Sequence, residues 1–350
     1  MKKLLFITPR DPFSGRYSGD VIRAKRFIDY FKKKYKITVV TSDKFNSEKK
    51  LQNIQLMNFK REGLFLKLFF IFFSILNLKP MQLGYFYSRK LNRYILNNYQ
   101  NFDIIFCQSV RAAQYVLNLE VKNKILDMGD LYSNNYFQTF KAKNIFNPNK
   151  IIYFIESKLM RKYEKLCFEK FSKILLFSKK EISSLKVNKK KIQQINFGID
   201  KIQNKFKYNK KNNKIIFIGN IKYLPNKIAC KNFINNILPQ INKIHKEIEF
   251  HIIGEISKFN AFIWGQNKSV KIHGKISNLN NSLSKTFCGL ANLNVSSGIQ
   301  TKLLTYMSYG IPSVSSKQVL ENFDAVRSLS LPKYKNKKEL IKLILKLKNE

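Results

Sequence analysis

Acidic residues are scarce in this chain: 22 Asp and Glu stand against 65 Lys and Arg over 350 residues, a formal net charge of +43. A surface that basic is drawn to anionic partners, whether lipid head groups, nucleic acid or phosphorylated substrates. The crowding of Lys, Asn, Ile and Phe is what an AT-rich genome produces, and it accounts for part of the charge but not for the want of acids. Nucleic-acid binding calls for a basic face interleaved with aromatics in a recognisable module. None is found, which argues against it. Histidine is scarcer still: His245, His251 and His273 all fall in one half, so a His-rich metal centre is not expected. The four cysteines, Cys107, Cys167, Cys230 and Cys288, have no paired spacing. That excludes a zinc motif and a disulfide framework, and it fits a reducing cytoplasm.

Long hydrophobic runs are missing as well. "GLFLKLFFIFFSILNL" (63–78) is the most apolar segment, but Lys67 interrupts it and it falls short of the ~20 residues a bilayer span needs. A helix buried in the core is the plain reading; a helix lying partly in the membrane interface is the alternative. The apolar run in "MKKLLFITPR" is shorter than the ~7–15 residues of a signal-peptide core, and it reads as a first strand.

What is present is a repeating α/β pattern in a chain long enough for two cores. "KLLFITP" (3–9) reads as a strand, "DPFSGRYSGD" (11–20) as a loop, "VIRAKRFIDYFKKKY" as a helix and "KITVVTSD" (36–43) as a buried strand. Further strands are expected at 102–109 and 124–130, then a helix over 151–172 and a strand with its exit at 173–181, and 191–200 closes this half. The polar, charged stretch 201–213 has no apolar periodicity and reads as a linker. The pattern then restarts, with strands at 214–220, 247–255, 270–276, 289–297 and 311–316 and a helix around 227–244. The chain ends in an amphipathic helix, "KELIKLILKLKNE".

In doubly wound sheets ligands sit at the carboxyl ends of strands, and anions at helix N-termini. Three loops qualify: Ser14–Asp20, Gly219–Asn226 and Ser296–Thr301. Facing one another across a cleft, they would form one site. Neither "GRYSGD" nor "GIQTK" is a strict phosphate fingerprint. "DMGD" (127–130) also ends a strand, so Asp127 or Asp130 is placed either toward a ligand or in loop packing.

Together "SGDVIRAKRF" (18–27), "MQLGYFYSRKLNRYI" (81–95), "YEKLCFEKFSKILLFSKKE" (163–181), "NFGID" (196–200), "FIGNIKYLPNKIACKNFINNILPQI" (217–241), "FHIIGE" (250–255), "VKIHGKI" (270–276) and "GIQTKLLTYMSYGIPSV" (298–314) resemble a GT-B glycosyltransferase. The similarity is narrower to glycosyltransferase family 4, in the branch that builds bacterial surface polysaccharides, and it spans almost the whole chain. It implies two Rossmann-like doubly wound domains facing a central cleft, here residues 1–205 for the acceptor and 206–350 for the donor. It also implies a nucleoside-diphosphate sugar as donor substrate with no cofactor, a lipid-linked or polysaccharide acceptor, retention, and chemistry without a bound metal. The Asp-x-Asp of metal-dependent transferases does not occur here.

Carried onto this chain, the resemblance implies donor binding by Gly219, Asn220, Lys222, Gly298, Ile299, Gln300, Thr301, Lys302 and Thr305. It implies acceptor binding by Gly15, Gly19 and Asp20, with Asp20 and Lys302 catalytic. Without a metal, the leaving diphosphate must meet cationic side chains and helix N–H groups. Lys302 at a helix start suits that task, and Lys222 is the second candidate. The plain alternatives are solvated surface lysines, a helix cap at Gly298 and another at Asp20; Gly310 and Pro312 read as a helix stop. Many family members carry two Glu with seven residues between them, and here Ser297 and Thr305 stand in those places. A hydroxyl holds a ribose roughly 1 kcal/mol less tightly than a carboxylate does. A GT-B protein without catalysis, acting as a partner or scaffold at the membrane surface, is therefore the competing reading. A cytoplasmic enzyme, peripheral at the inner membrane face, is the leading one.

Overall fold

The computed structural model describes residues 1–14, 19–43, 47–143, 147–195, 209, 211–276, 279–294, 300–321 and 332–349. Chain contacts divide it into two compact units, Met1–Ile195 and Asn196–Glu350. The expected boundary at 205/206 and most of the linker stretch lie outside the described residues.

In the first unit the strands are β1 (Lys2–Thr8), β2 (Tyr35–Asp43), β3 (Ser47–Leu51), β4 (Ile54–Lys60), β5 (Ile104–Gln108), β6 (Lys124–Gly129), β7 (Lys173–Leu176) and β8 (Ile192–Gln194). They form one sheet in the order β3-β4-β2-β1-β5-β6-β7-β8, parallel except for the β3–β4 pair. Helices cover both faces of such a sheet, so its central strands read as unbroken apolar runs. Leu4, Leu5, Phe6 and Ile7 of β1 are all fully buried.

Strands β3 and β4 fall in a stretch that the patterns above leave unassigned. In β4 the alternation of buried Ile54 and Leu56 with half-buried Gln55 and Met57 is the period-2 signal that marks it.

The second unit holds β9 (Lys214–Ile218), β10 (Glu249–Ile253), β11 (Val270–Gly274), β12 (Thr286–Ala291), β13 (Ser313–Ser316) and β14 (Lys333–Tyr334). Their order β11-β10-β9-β12-β13-β14 is that of a dinucleotide-binding sheet, with the switch point between β9 and β12. β12 begins earlier than the expected 289–297, because Phe287 and Cys288 fill the core. The helix expected over 227–244 is interrupted. It runs Leu224–Asn232, passes through a π turn at Phe233–Ile237, and resumes at Leu238–Asn242. Pro239 has no N–H for the carbonyl four residues back, and the wider turn absorbs the defect. The terminal helix Lys337–Asn349 buries Leu340 and Ile344 in this unit's core.

Two devices shape the carboxyl edge of this sheet. Gly254, at φ +142°, packs its Cα against the carbonyl of Gly219, so any Cβ there would overlap that oxygen. The Gly219 N–H donates to Ile253 O at 2.9 Å and the Gly254 N–H to Gly274 O at 2.7 Å, which stitches the ends of β9, β10 and β11 together. The second device is Tyr306, fully buried on the helix Thr301–Ser308. Its hydroxyl accepts from Ile218 N at 3.0 Å and lies 3.2 Å from both Ile216 O and Leu290 O. Its ring occupies the space a Cβ on Gly289 would need.

Tyr306→Phe leaves one buried N–H and two carbonyls without this partner, so a loss of about 1–3 kcal/mol is expected from urea unfolding. A change within about 0.5 kcal/mol, the scale of ordinary surface substitutions, would show that the hydroxyl does not hold the helix.

Candidate functional site

The helix Thr301–Ser308 rises at the switch point of the second sheet, anchored by Tyr306 one turn beyond Lys302. Lys302 is not the solvated surface lysine of the plain alternative. It is 5% exposed, its Nζ donates to Asn226 Oδ1 at 2.8 Å, and it sits 4.0 Å from the centroid of the Phe217 ring. No carboxylate pairs with it among the described residues. Burial pulls its pKa down to about 7, against a small opposing effect from Cys230.

Asn226, which the sequence patterns do not single out, is the second buried member of the site. Its Nδ2 donates to Asn220 O at 2.9 Å while its Oδ1 accepts from Lys302, so one amide ties the loop after β9 to the lysine. Pro225 starts the helix that carries it. A Cβ on Gly219 would come within 2.9 Å of Asn226 Nδ2, so glycine at 219 keeps room for the amide. The Asn220 side chain accepts from Lys222 N at 2.9 Å in a local turn.

The structure separates the remaining candidates. Lys222 is exposed and paired with Glu255 at 2.8 Å, so its charge is already answered at the surface. Gln300 precedes the helix and makes no capping hydrogen bond; Thr301 lends its carbonyl to Thr305 Oγ1 at 3.1 Å. Thr305 is buried, and its hydroxyl donates within the helix. Gly298, Ile299 and Ser297 lie outside the described residues, as does Gly15.

In the first unit Gly19 and Asp20 open the helix Gly19–Phe31 beyond the carboxyl end of β1. The Asp20 carboxylate faces Arg10 at 3.1 Å, and its backbone carbonyl accepts from Gln108 Nε2 at 2.6 Å. Gln108 in turn accepts from Thr8 Oγ1 at 2.6 Å, linking the ends of β1 and β5. Asp127 is not a ligand-facing acid: it is buried in an ion pair with Arg23, whose guanidinium stacks 3.8 Å over Phe177. The packing of β6 on the helix Gly19–Phe31 claims that residue. Asp130 differs, because its Oδ1 is buried and finds no hydrogen-bond partner among the described residues. Burial raises its pKa to about 6, partly offset by Arg23.

Ser109, just past β5, is a further position the sequence does not announce. It holds φ +71°, a region non-glycine residues enter at a cost of order 1–3 kcal/mol, and its Oγ is likewise buried without a partner.

Across β10 and β11, His251 Nδ1 and His273 Nε2 lie 2.8 Å apart, with Glu249 3.0 Å from the other nitrogen of His251. Burial holds both imidazoles below their usual range.

Residues 212–349 match the family model described as glycosyl transferases group 1. No curated protein matches the chain in sequence. Among solved structures, Anabaena Alr3699/HepE in complex with UDP and glucose is similar at TM-score 0.66 and 12% identity, over 99% of this chain and 89% of that one. The trehalose-6-phosphate protein from E. coli bound with UDP-2-fluoro glucose matches at TM-score 0.63 and 13% identity, over 99% and 91%. The α,α-trehalose 6-phosphate synthase from Burkholderia multivorans matches at 0.62 and 7%, again over 99% and 91%. The fold is GT-B.

Lys302 supplies a pH signature. Its native pKa near 7 lies below the value of about 10.4 for a lysine in an unfolded chain, so between these values the unfolded state binds more protons and stability rises with pH. Lys302→Met should therefore stabilise the protein most at pH 6, with the gain shrinking as pH climbs toward 10. Denaturant midpoints at pH 6, 7.5 and 9 check this; a pH-independent difference would mean that the lysine is not buried as a cation.

Proposed function

From a GT-B chain whose second unit matches the glycosyl transferases group 1 model, we propose a glycosyltransferase. It moves a sugar from a nucleoside-diphosphate donor to a lipid-linked or polysaccharide acceptor, with retention at the anomeric carbon and no bound metal. The observation that carries this reading is Lys302, a buried lysine at the switch point of the second sheet with no carboxylate partner among the described residues. Burying an ammonium in a site with neutral partners is costly, and such a site is completed by an anion.

The chemistry follows from that incompleteness. Glycosyl transfer breaks the bond between the anomeric carbon and the β-phosphate oxygen, so negative charge grows on the diphosphate as the sugar departs. Lys302, turning from Asn226 to the phosphate, neutralises that charge, and the first N–H groups of the helix Thr301–Ser308 add their partial positive charge. The acceptor hydroxyl gives up its proton as the new bond forms, and the departing phosphate oxygen is the basic group beside it. Thr305, one turn into that helix, stands where the family resemblance puts the ribose contact. Gln300 and the 298–299 segment complete the donor contact.

The first unit holds the acceptor at the carboxyl ends of β1, β5 and β6. Ser109 Oγ and Asp130 Oδ1, buried without hydrogen-bond partners among the described residues, offer polar groups for sugar hydroxyls, and the Arg10–Asp20 pair stands beyond the end of β1. Asp20 orients the acceptor in this reading.

Calorimetry with UDP, GDP, ADP, CMP and dTDP tests the donor site. One diphosphate should bind in the micromolar range, and Lys302→Ala should weaken it by ten-fold or more. Because an anion raises the lysine's pKa from about 7, binding at pH 8 should take up close to one proton, read from the dependence of the heat on buffer ionisation. Binding with no proton uptake would remove Lys302 from the phosphate contact. If no nucleotide binds at all, Thr305 in place of Glu has cost the site, and the protein is a GT-B scaffold without catalysis.

A further inference from the structure

The helix Leu64–Leu76 inverts the usual arrangement of a surface helix, which turns its apolar stripe inward. Phe65, Leu68, Phe69, Phe72, Phe73 and Leu76 recur at helical spacing on one face, and each is more than half exposed, Phe65 at 83%. The expectation of a helix buried in the core is overturned: Ser74 is the one buried residue in it. The inner face packs closely on the helix Met81–Phe86, where a Cβ on Gly84 would overlap the carbonyl of Phe70. The outward face is thus not a loosely docked element that could roll over; the glycine contact fixes which side is out.

A second apolar surface lies beside it. On the helix Asn149–Lys170, Ile151, Ile152, Phe154 and Ile155 are all exposed. Glu156, one turn from Ile152, is buried, and its carboxylate accepts from Met81 N at 2.8 Å and Gln82 N at 3.1 Å. That clamp holds the start of the Met81–Phe86 helix, and with it the end of the Leu64–Leu76 helix, against this stretch. The charges the two segments display have one sign: Lys67 and Lys79 on one, Lys150 and Lys158 on the other, with Glu156 the only acid in 63–79 or 149–158 and buried. Lys67 lies 5.7 Å from the Tyr85 ring, Lys150 5.2 Å from Phe140 and Lys158 5.4 Å from Phe154. Each ammonium lies over an aromatic ring, a cation–π placement that keeps the charges beside the apolar residues.

We propose that these two helices form one face that docks on an anionic lipid bilayer, with Leu64–Leu76 lying in the interface plane. The proposal rests on the transferase reading for its purpose, which is delivery of the chain to a lipid-linked acceptor. It rests on geometry alone for the contact. Thirteen helical residues extend about 20 Å, short of the ~30 Å hydrocarbon core, and no described helix is long and apolar enough to cross a membrane. An apolar face of this kind sinks ~5–10 Å into the head-group boundary, and a lysine rim meets anionic head groups there. A second copy of the chain is a poor occupant, because lysine rim would face lysine rim with no acid to offset it.

Co-sedimentation with phosphatidylcholine vesicles, alone or carrying one third phosphatidylglycerol, tests the proposal. The intact chain should bind the anionic vesicles at least ten-fold more tightly than the neutral ones. Phe69→Glu with Phe72→Glu should abolish binding; Lys150→Gln with Lys158→Gln should weaken it several-fold and flatten its salt dependence. Since Phe69, Phe72 and Lys158 are exposed and Lys150 is half-buried at the start of its helix, each variant should keep its melting temperature and its nucleotide heat, so a lost contact is separable from a lost fold. Vesicle binding unchanged in the double glutamate variant, or absent in the intact chain, overturns the proposal. So does a concentration-dependent dimer in the intact chain that the glutamates dissolve, with vesicle binding absent. Vesicle binding without any nucleotide binding would sink the transferase reading and leave the docking face standing.

Discussion

Everything at the carboxyl edge of the second sheet, where Lys302 lies, depends on one hydroxyl. Tyr306 reaches through the switch point between β9 and β12 and is shared by backbone groups of both strands, so the helix Thr301–Ser308 has one seat. That seat carries Lys302 over Phe217 and within reach of Asn226. The Lys302 side chain is consequently held out of water by the fold, with Asn226 as its hydrogen-bond partner and no carboxylate beside it among the described residues, which is why its pKa falls. The interlocked glycines at 219 and 254 serve the same end, keeping the strand edge close enough for Asn226 to bridge loop and lysine.

Scarcity of acids gains a structural meaning in the first unit. Several of the few acids present are spent on backbone N–H groups at the starts of helices. Glu156 holds Met81 and Gln82, Glu164 receives the N–H and hydroxyl of Ser133 at 3.0 and 2.5 Å, and Glu181 receives Leu131 N at 3.2 Å. A carboxylate at a helix N-terminus answers orphan donors and the helix dipole together. Burial nonetheless raises the pKa of Glu164 to about 7 and of Glu181 to about 8. With acids drawn inward in this way, the apolar face formed by the 64–76 and 149–158 stretches shows lysines alone, and its charge and its exposed aromatic residues point to the same kind of surface.

Much of the fold was legible in local pattern. Unbroken apolar runs marked β1, β5 and β9, because a strand covered on both faces has little need of polar positions, and largely apolar ones marked β2, β6 and β10 despite buried Thr41, Asp127 and His251. β4 escaped since a half-buried edge region alternates instead, and the π turn at Phe233–Ile237 escaped because its cause, Pro239, reads equally well as a helix start. At the site, the resemblance pointed to Lys302, but Asn226 carried no signal: an asparagine after a proline is ordinary until something is known to face it. Arg23 and Asp127 lie 104 positions apart, and Ser109 reveals itself only through its backbone angle.

By itself, then, the sequence determined most of the alternation of strands and helices, β3 and β4 excepted, the restart of the pattern past residue 213 and the positive charge, since each depends on neighbours along the chain. Tertiary structure alone decided what those residues face. It buried Lys302 and left Lys222 paired with Glu255 at the surface, although the two lysines look alike in sequence. It turned the most apolar helix outward, because Gly84 and Glu156 fix its inner side from 8 and 80 residues beyond Leu76. Burial is a property of the whole packed chain, and a residue's hydropathy states only what burial would be worth, not where it occurs.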